Sequence, residues 1–310
     1  MRNTILGALG ALALLGAGVT PAAAQETPTA AGESGGIPPE LLEIEKNLHP
    51  QTGDITIPAA HAVLHLGDDY YYLPADEAKK VLVDVWGNPP SAVSNVLGLV
   101  FEKDATIFDN VWGAVISYDD TGHISDANAE HEDYAAVLRE MQKGDAADNA
   151  ARREAGYPTM NLIGWAQPPS YDKASHALIW AKEFALSDQK VNSLNYDVRL
   201  LGRTGTLSLN MVSTMDVLAD VGSAAAMFGR AAEFESGWRY ADFVAGSDKD
   251  AGYGLSGLVA GGAAVAVAQK MGIFALLLKF GKIIIVGLIA FGGAAFAFVR
   301  NMFGRKEEDY

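Results

Sequence analysis

The feature that most constrains this chain is an uncharged apolar run near its C-terminus. Ile283–Val299 holds 17 residues without a charge, between Lys282 and Arg300. As a helix this run would be about 26 Å long, close to the hydrocarbon core of a bilayer, which is about 30 Å thick. The long Lys and Arg side chains on either side reach the interface and cover the shortfall. We therefore predict a transmembrane helix within residues 273–300.

The N-terminus has the pattern of a secretory signal peptide. Arg2 precedes an apolar stretch, Ile5–Val19, and the small residues Ala22–Ala24 offer a cleavage point before Gln25. An uncleaved anchor helix is the alternative, but the apolar region is short and the cleavage site is well formed. We expect the signal peptide to be removed and the part of the chain that follows it to be exported.

The two ends predict the organisation of the whole chain. The successive segments are a signal peptide (1–24), a disordered Gly/Pro-rich linker (25–39), an exported domain (40–247), a Gly/Ala-rich membrane-proximal segment (252–272), a transmembrane anchor (273–300) and a short charged tail (301–310). The basic residues beside the anchor do not settle its orientation, because three lie on each side: Lys270, Lys279 and Lys282, then Arg300, Arg305 and Lys306. The orientation therefore rests on the signal peptide.

The membrane-proximal segment has two interpretations. Leu255–Ala268 is rich in Gly and Ala, and Gly257 and Gly261 form a GxxxG pair, which lets helices approach closely within a membrane. The run is short for a span, so we expect a re-entrant or interfacial helix, or a packing partner for the anchor. A second span is the alternative, and it would move the tail to the outside.

Composition excludes several classes of function. The chain has no Cys, which rules out disulfides, thiol nucleophiles and Cys-ligated metals. Its net charge of −15 argues against binding nucleic acid, which requires a basic surface. The spacing of His61 and His65 would suit a metal only on a helix, and the surrounding apolar pattern predicts strand. We predict neither a metal site nor a cofactor.

The hydropathy pattern of the middle of the chain predicts an α+β fold, an antiparallel sheet with helices packed on it. The most regular part is four predicted strands, with a tight turn at Gly202–Gly205 between the last two: Met160–Trp165, Ala177–Phe184, Leu194–Leu201 and Thr206–Val212. An amphipathic helix is predicted over Thr214–Ala232. Another is predicted from a cap at Ser125 or Asp126 to about Lys143.

Several spaced motifs of the chain resemble one protein family. These are Trp86–Pro90, Ser117–Asp120, Gly164–Asp172, Trp180–Glu183, Leu194–Tyr196, Arg199–Arg203, and Tyr240–Phe243 before Tyr253–Gly254. In their order and content they are similar to DUF2167, a family of uncharacterised, membrane-anchored bacterial proteins, over roughly residues 44–303. His123 departs from the family, which more often has Tyr after the turn glycine. The resemblance implies a signal peptide, an exported domain and a C-terminal anchor, and it implies no known reaction. The signal peptide followed by the anchor predicts a periplasmic domain on a single-pass inner-membrane anchor with a short cytoplasmic tail.

The first candidate surface is an aromatic and proline-rich unit of two strands and the loop between them. It comprises Trp165, Pro168, Pro169, Tyr171 and Trp180. Rigid aromatic side chains give contact area at low entropy cost, so this unit could bind a ligand or a partner. A rigid hairpin loop that caps the core is the alternative, because buried Trp residues are common in strands.

The second candidate surface is polar. Arg199 and Arg203 are expected near Asp172 and Glu183, where they either bind a carboxylate or phosphate or form structural ion pairs. Strand alternation places three polar side chains on one face, solvated or functional: Asn195, Asp197 and Arg199.

Three functions are compatible with these features. The first is a non-enzymatic binding or accessory module tethered to the membrane, with an envelope protein as its partner. The second is an envelope hydrolase that uses Asp or Glu, His and Arg. The third is a component of an oligomeric membrane assembly in which Gly257 and Gly261 pack between chains.

Overall fold

The computed structural model describes residues 37–88, 90–109, 112–154 and 156–261. The predicted signal peptide, most of the predicted linker, the transmembrane anchor and the tail lie outside these residues. Within them, no helix is both long enough and apolar enough to cross a membrane. The described residues form an α+β fold whose two larger sheets are antiparallel, which confirms the predicted fold class for this part of the chain.

The described strands form three sheets. The strands are β1 (Asp54–Ile57), β2 (Ala62–His65), β3 (Tyr70–Pro74), β4 (Val96–Glu102), β5 (Gly113–Asp119), β6 (His123–Ser125), β7 (Met160–Asp172), β8 (Ala177–Leu186), β9 (Ser193–Leu201), β10 (Thr206–Thr214), β11 (Ala232–Phe234) and β12 (Asp250–Gly254). The helices are α1 (Pro39–Lys46), α2 (Ala75–Lys80), α3 (Tyr134–Glu154), α4 (Leu218–Ala231) and α5 (Leu255–Val259). A turn of π-helix, Val81–Val85, continues α2.

The main sheet has seven antiparallel strands in the order β3-β4-β5-β10-β9-β8-β7. The four strands predicted between residues 160 and 212 are therefore confirmed, as is the tight turn between β9 and β10. That turn requires glycine at its end, because a Cβ on Gly205 would lie 2.1 Å from the backbone oxygen of Asp119 on β5.

One face of the main sheet carries the larger hydrophobic core. Helix α4 and the small sheet β1-β2-β11 pack against it. The buried stripe of α4 includes Val221, Ala224, Ala225 and Phe228, which follow the i, i+3, i+4, i+7 pattern of an amphipathic helix. The predicted helix is confirmed here, although its first turn, Met215–Val217, is a 3-10 helix.

The other face is covered at its two ends. Helix α2 and the π-helical turn cover β3 and β4. Helix α3, helix α5 and the parallel pair β6-β12 cover the β7–β8 end. Between these two apolar covers, the central strands β5, β10 and β9 present polar side chains.

The prediction for α3 was wrong at both ends. The helix begins at Tyr134, where the carboxylate of Asp133 accepts the backbone N–H of Ala136 at 2.9 Å, and it runs to Glu154. Ser125 ends strand β6 instead, because it pairs with Gly254 on β12, a contact distant in sequence.

The predicted proline loop was also wrong, because Pro168 and Pro169 lie within β7. Strand β7 is an edge strand and shifts register against β8 between Gln167 and Ser170. Proline is tolerated there because an edge or bulge position need not donate a ladder hydrogen bond.

The start of the Gly/Ala-rich segment belongs to the domain core. In α5, Leu255 and Val259 are buried against the sheet. A Cβ on Gly257 would lie 2.7 Å from the Cβ of Tyr253, so this glycine permits close packing within the domain. Gly261 has a left-handed backbone, φ +117°. The proposed role of the two glycines between membrane helices stays a prediction.

Candidate functional site

Six polar side chains meet on the central strands of the main sheet, between its two apolar covers. We call this set the polar cluster: Asp119, Lys182, Asn195, Asp197, Arg199 and Asn210. Alternation along β9 places its three members on one face, as predicted, and the register brings Asn210 of β10 opposite Asp197.

Asp197 is the centre of the polar cluster. Its side chain is only 3% exposed. One carboxylate oxygen accepts hydrogen bonds from Asn210 Nδ2 at 2.9 Å and Arg199 Nη2 at 3.1 Å. The other oxygen lies 3.5 Å from Lys182 Nζ. A buried charge is tolerated only when it is paired and hydrogen-bonded, and Asp197 meets both conditions.

Arg199 connects the centre of the polar cluster to its rim. Its Nη1 donates to Asp119 at 3.2 Å, and its guanidinium lies 5.8 Å from the centre of the Trp180 ring. The expected pairing with Asp172 or Glu183 was wrong. Asp172 accepts the backbone N–H of Ala174 in the β7–β8 turn, and Glu183 accepts from an Asn side chain.

The charges of the polar cluster balance. Two cations, Lys182 and Arg199, face two carboxylates, Asp119 and Asp197. A phosphate or carboxylate ligand would have to displace these partners, so the arrangement favours the structural ion-pair alternative over an anion site.

Arg203 lies outside the polar cluster and holds a loop. It makes a bidentate pair with Asp248, at 2.8 and 2.9 Å, and donates to the backbone oxygen of Gly237 at 3.0 Å. The hydrogen bond from Arg203 and another from the backbone of Val244 lower the pKa of Asp248. These contacts fix residues 237–248 against the β9–β10 turn.

The two tryptophans of the predicted aromatic unit pack in the hydrophobic core or against it. Trp180 is 1% exposed, and within the described residues its Nε1 has no hydrogen-bond partner. Trp165 is partly buried and donates its Nε1–H to the backbone oxygen of Tyr134 at 3.2 Å, which ties β7 to the start of α3.

Tyr171 belongs to a separate cluster, which we call the Tyr171 cluster: Asp126, Tyr171, His176 and Tyr240. The Tyr171 hydroxyl donates to Asp126 Oδ2 at 2.8 Å and lies 2.9 Å from His176 Nδ1. His176 has a left-handed backbone, φ +51°, and stacks on Tyr240 at 4.2 Å. This hydroxyl therefore links a carboxylate to an imidazole, the arrangement of a proton relay.

Burial controls proton affinity in the Tyr171 cluster. It raises the pKa of Tyr171 well above the usual range, and the hydrogen bond to Asp126 raises it further. Burial also raises the pKa of Tyr240 to about 12. His123 stacks on Phe243 at 3.9 Å, its ring lies 4.3 Å from that of Tyr240, and burial lowers its pKa. The two tyrosines are therefore neutral donors at pH 7.

Several residues of the two clusters were not predicted from sequence. Asp126 was assigned to a helix cap, and Lys182 and His176 were given no role. An ion-pair partner for Lys182 could have been predicted from the sequence, because a charged residue at an inward position of a predicted strand requires one. Within the described part of the chain, no group of three His, Asp or Glu side chains could hold a metal ion.

These observations define an α+β domain whose central sheet carries a neutral, internally paired set of charges. The chain belongs to the DUF2167 family: the family model, described as “Protein of unknown function (DUF2167)”, matches residues 49–293. No curated protein matches the sequence.

One similar solved structure is that of cyanobacterial PsbP (CyanoP) from Synechocystis sp. PCC 6803. It shares 9% identity with the chain and has a TM-score of 0.34, over 67% of this chain and 100% of that one. A TM-score of 0.34 is too low to support an argument about function.

Proposed function

We propose that this chain is a non-enzymatic binding or accessory module of the bacterial envelope, tethered to the inner membrane by its C-terminal apolar segment. The observation that carries the proposal is the mutual pairing of the polar cluster. The cations that could bind a substrate, Lys182 and Arg199, are already bound to Asp119 and Asp197. In this proposal the polar cluster stabilises the central sheet, and the partner binds to the surface of the domain.

The edge of the main sheet is the surface that suits a protein partner. Among the described strands, only β7 carries an exposed large apolar side chain, that of Ile163, which is 49% exposed. Further along the same strand, Pro168 and Pro169 interrupt the row of backbone donors, which blocks strand addition at this edge. A partner would therefore contact side chains of β7.

Photo-crosslinking in native membranes tests this function. A photoreactive amino acid replaces Ile163 in the full chain, and a matched chain carries it at Val244, which is 51% exposed and lies outside the sheet. We expect one envelope protein to crosslink from position 163 and not from position 244. Identical products from both positions, or only copies of the chain itself, would contradict the proposal.

A second function, hydrolysis, is favoured by the Tyr171 cluster. The cluster supplies a carboxylate and an imidazole on either side of one hydroxyl, and the Asp126 and His176 side chains are 25% and 30% exposed. Water could therefore reach a general base there. The full chain and its His176→Asn variant would be compared on nitrophenyl esters, phosphates and glycosides. Equal rates for the two proteins on every substrate would exclude this function.

A further inference from the structure

Helix α3 covers the outer edge of strand β7 with a row of polar side chains. We call this row the α3 stripe: Gln142, Asp145, Asn149 and Arg152. Its members follow an i, i+3, i+7, i+10 spacing, which places them on one side of the helix. Each of them hydrogen-bonds the backbone of residues 158–163, which we call the covered segment.

The α3 stripe bonds the backbone groups that a further strand would use. Asp145 Oδ2 accepts the N–H of Leu162 at 2.9 Å, and Asn149 Oδ1 accepts the N–H of Met160 at 2.7 Å. Gln142 Nε2 donates to the backbone oxygen of Leu162 at 3.1 Å. In the described sheet β7 is the last strand, so these groups lie on its outer side, while alternate residues bond β8. The helix therefore takes the place of a neighbouring strand.

The covered segment lacks the charges that usually protect an edge strand from pairing. Residues 157–171 contain no Asp, Glu, Lys or Arg, in a chain whose net charge is −15. Pro168 and Pro169 protect the second half of this stretch, because they interrupt the row of backbone donors. In the described structure, α3 protects the first half.

Few apolar contacts hold α3 in place. Among its side chains that the structure describes, only that of Asn149 is buried, with 5% exposure. Leu138 and Met141 are partly buried against side chains of β7 and β8. Gly144 lies inside the helix, where glycine is less favourable than alanine. Elements with few buried apolar contacts open more readily than the core, so α3 can detach while the main sheet stays folded.

We propose that α3 is a detachable cover, and that the covered segment, once free, pairs with the same segment of a second copy of this chain. The two strands run antiparallel about a two-fold axis at Asn161, so Met160 of each copy faces Leu162 of the other. The outward N–H and C=O groups bond across the axis, and the absence of charge removes the repulsion between copies. The inference goes beyond the proposed function, which concerns side chains of β7 with α3 in place.

A single cysteine at the axis reports this pairing, because the chain has no Cys of its own. Facing residues at this kind of position have Cα atoms about 4.5 Å apart, a separation that a disulfide spans. Asn161→Cys in the full chain should therefore form a disulfide between copies when native membranes are mildly oxidised. Ile163→Cys is the register control, because its two copies would lie about 14 Å apart along the strands and should not crosslink.

Removing the α3 stripe should uncover the segment. The substitutions Gln142→Ala, Asp145→Ala and Asn149→Ala, which we call the stripe variant, delete the hydrogen bonds and keep the helix, since alanine is the best helix former. Each net hydrogen bond contributes about fivefold to the equilibrium, so the detached fraction should rise about a hundredfold. The initial rate of disulfide formation from Asn161→Cys should rise by the same factor.

A matched control changes the solvent-facing side of the same helix. Glu140→Ala, Lys143→Ala and Asp148→Ala replace three exposed residues and change the net charge by the same amount as the stripe variant. This control should form the disulfide as slowly as the chain with an unchanged helix.

Hydrogen exchange of the unsubstituted chain tests the detachment without any variant. The amides of α3 should exchange at least about tenfold faster than those of β9, because the helix opens without the main sheet. The proposal is overturned if α3 exchanges as slowly as β9, or if the stripe variant forms the disulfide no faster than the matched control. It is also overturned if Ile163→Cys crosslinks as fast as Asn161→Cys, because the association would then have no fixed register.

Discussion

Removing the carboxylate of Asp197 tests whether the polar cluster holds the sheet. The Asp197→Ala variant leaves Arg199 with Asp119 alone and leaves Lys182 without a carboxylate partner among the described residues, and the two side chains are 19% and 16% exposed. Breaking a buried ion pair by removing one partner costs about 3–5 kcal/mol. Because both cations retain some contact with water, we expect the low end, a loss of about 3 kcal/mol in the free energy of unfolding.

Urea denaturation followed by tryptophan fluorescence measures this loss. All five Trp residues lie in the described domain, so the signal reports on its unfolding. For a domain of this size the urea dependence is near the upper end of 1–3 kcal/mol per M. The midpoint should therefore fall by about 1 M. The exposed control Asp188→Asn should change the free energy of unfolding by less than about 0.5 kcal/mol.

A triple variant, which we call the charge-free variant, separates the effect of ion pairing on stability from the effect of burial. Lys182→Met, Asp197→Leu and Arg199→Met together remove the three buried charges and the need to pair them, and the Asp119 side chain, which is 39% exposed, stays solvated. Replacing a buried ion pair by apolar residues of similar size is often neutral or stabilising, so we expect most of the lost stability to return. A loss below about 1 kcal/mol in Asp197→Ala would refute the structural role of the pairing.

Three further predictions concern single positions, each measured by urea denaturation. Gly205→Ala should cost about 1–3 kcal/mol because its Cβ would overlap a backbone oxygen, whereas Gly164→Ala, with open space around it, should be neutral. Burial lowers the pKa of His123, so the unfolded state takes up the proton more readily and stability falls as the pH drops below about 6.5; His123→Phe should reduce this fall. Tyr171→Phe should cost about 1–2 kcal/mol through its lost hydrogen bonds, while Tyr157→Phe, at a 37% exposed position, should cost nothing measurable.

Local patterns predicted the central part of the fold. The alternation of apolar and polar residues identified strands β7 to β10, and turn chemistry identified the β9–β10 hairpin. The same alternation placed Asn195, Asp197 and Arg199 on one face. These features depend on residues close together in sequence, so they can be derived without the tertiary structure.

Features that depend on distant pairing were not predicted. Asp119 meets Arg199 only through the order β5-β10-β9, which no local pattern specifies. Ser125 has the chemistry of a helix cap, but pairing with β12 makes it the end of a strand. Pro168 and Pro169 suggest a loop, but an edge strand with a shifted register accommodates them.

The most direct test of the account is to crosslink the charge-free variant in native membranes from position 163. If the polar cluster is structural and recognition occurs on β7, this variant folds and still crosslinks to the same envelope protein as the chain with an intact cluster. A variant that folds, by its urea midpoint, but no longer crosslinks would contradict the account, because the charges themselves would then be required for binding.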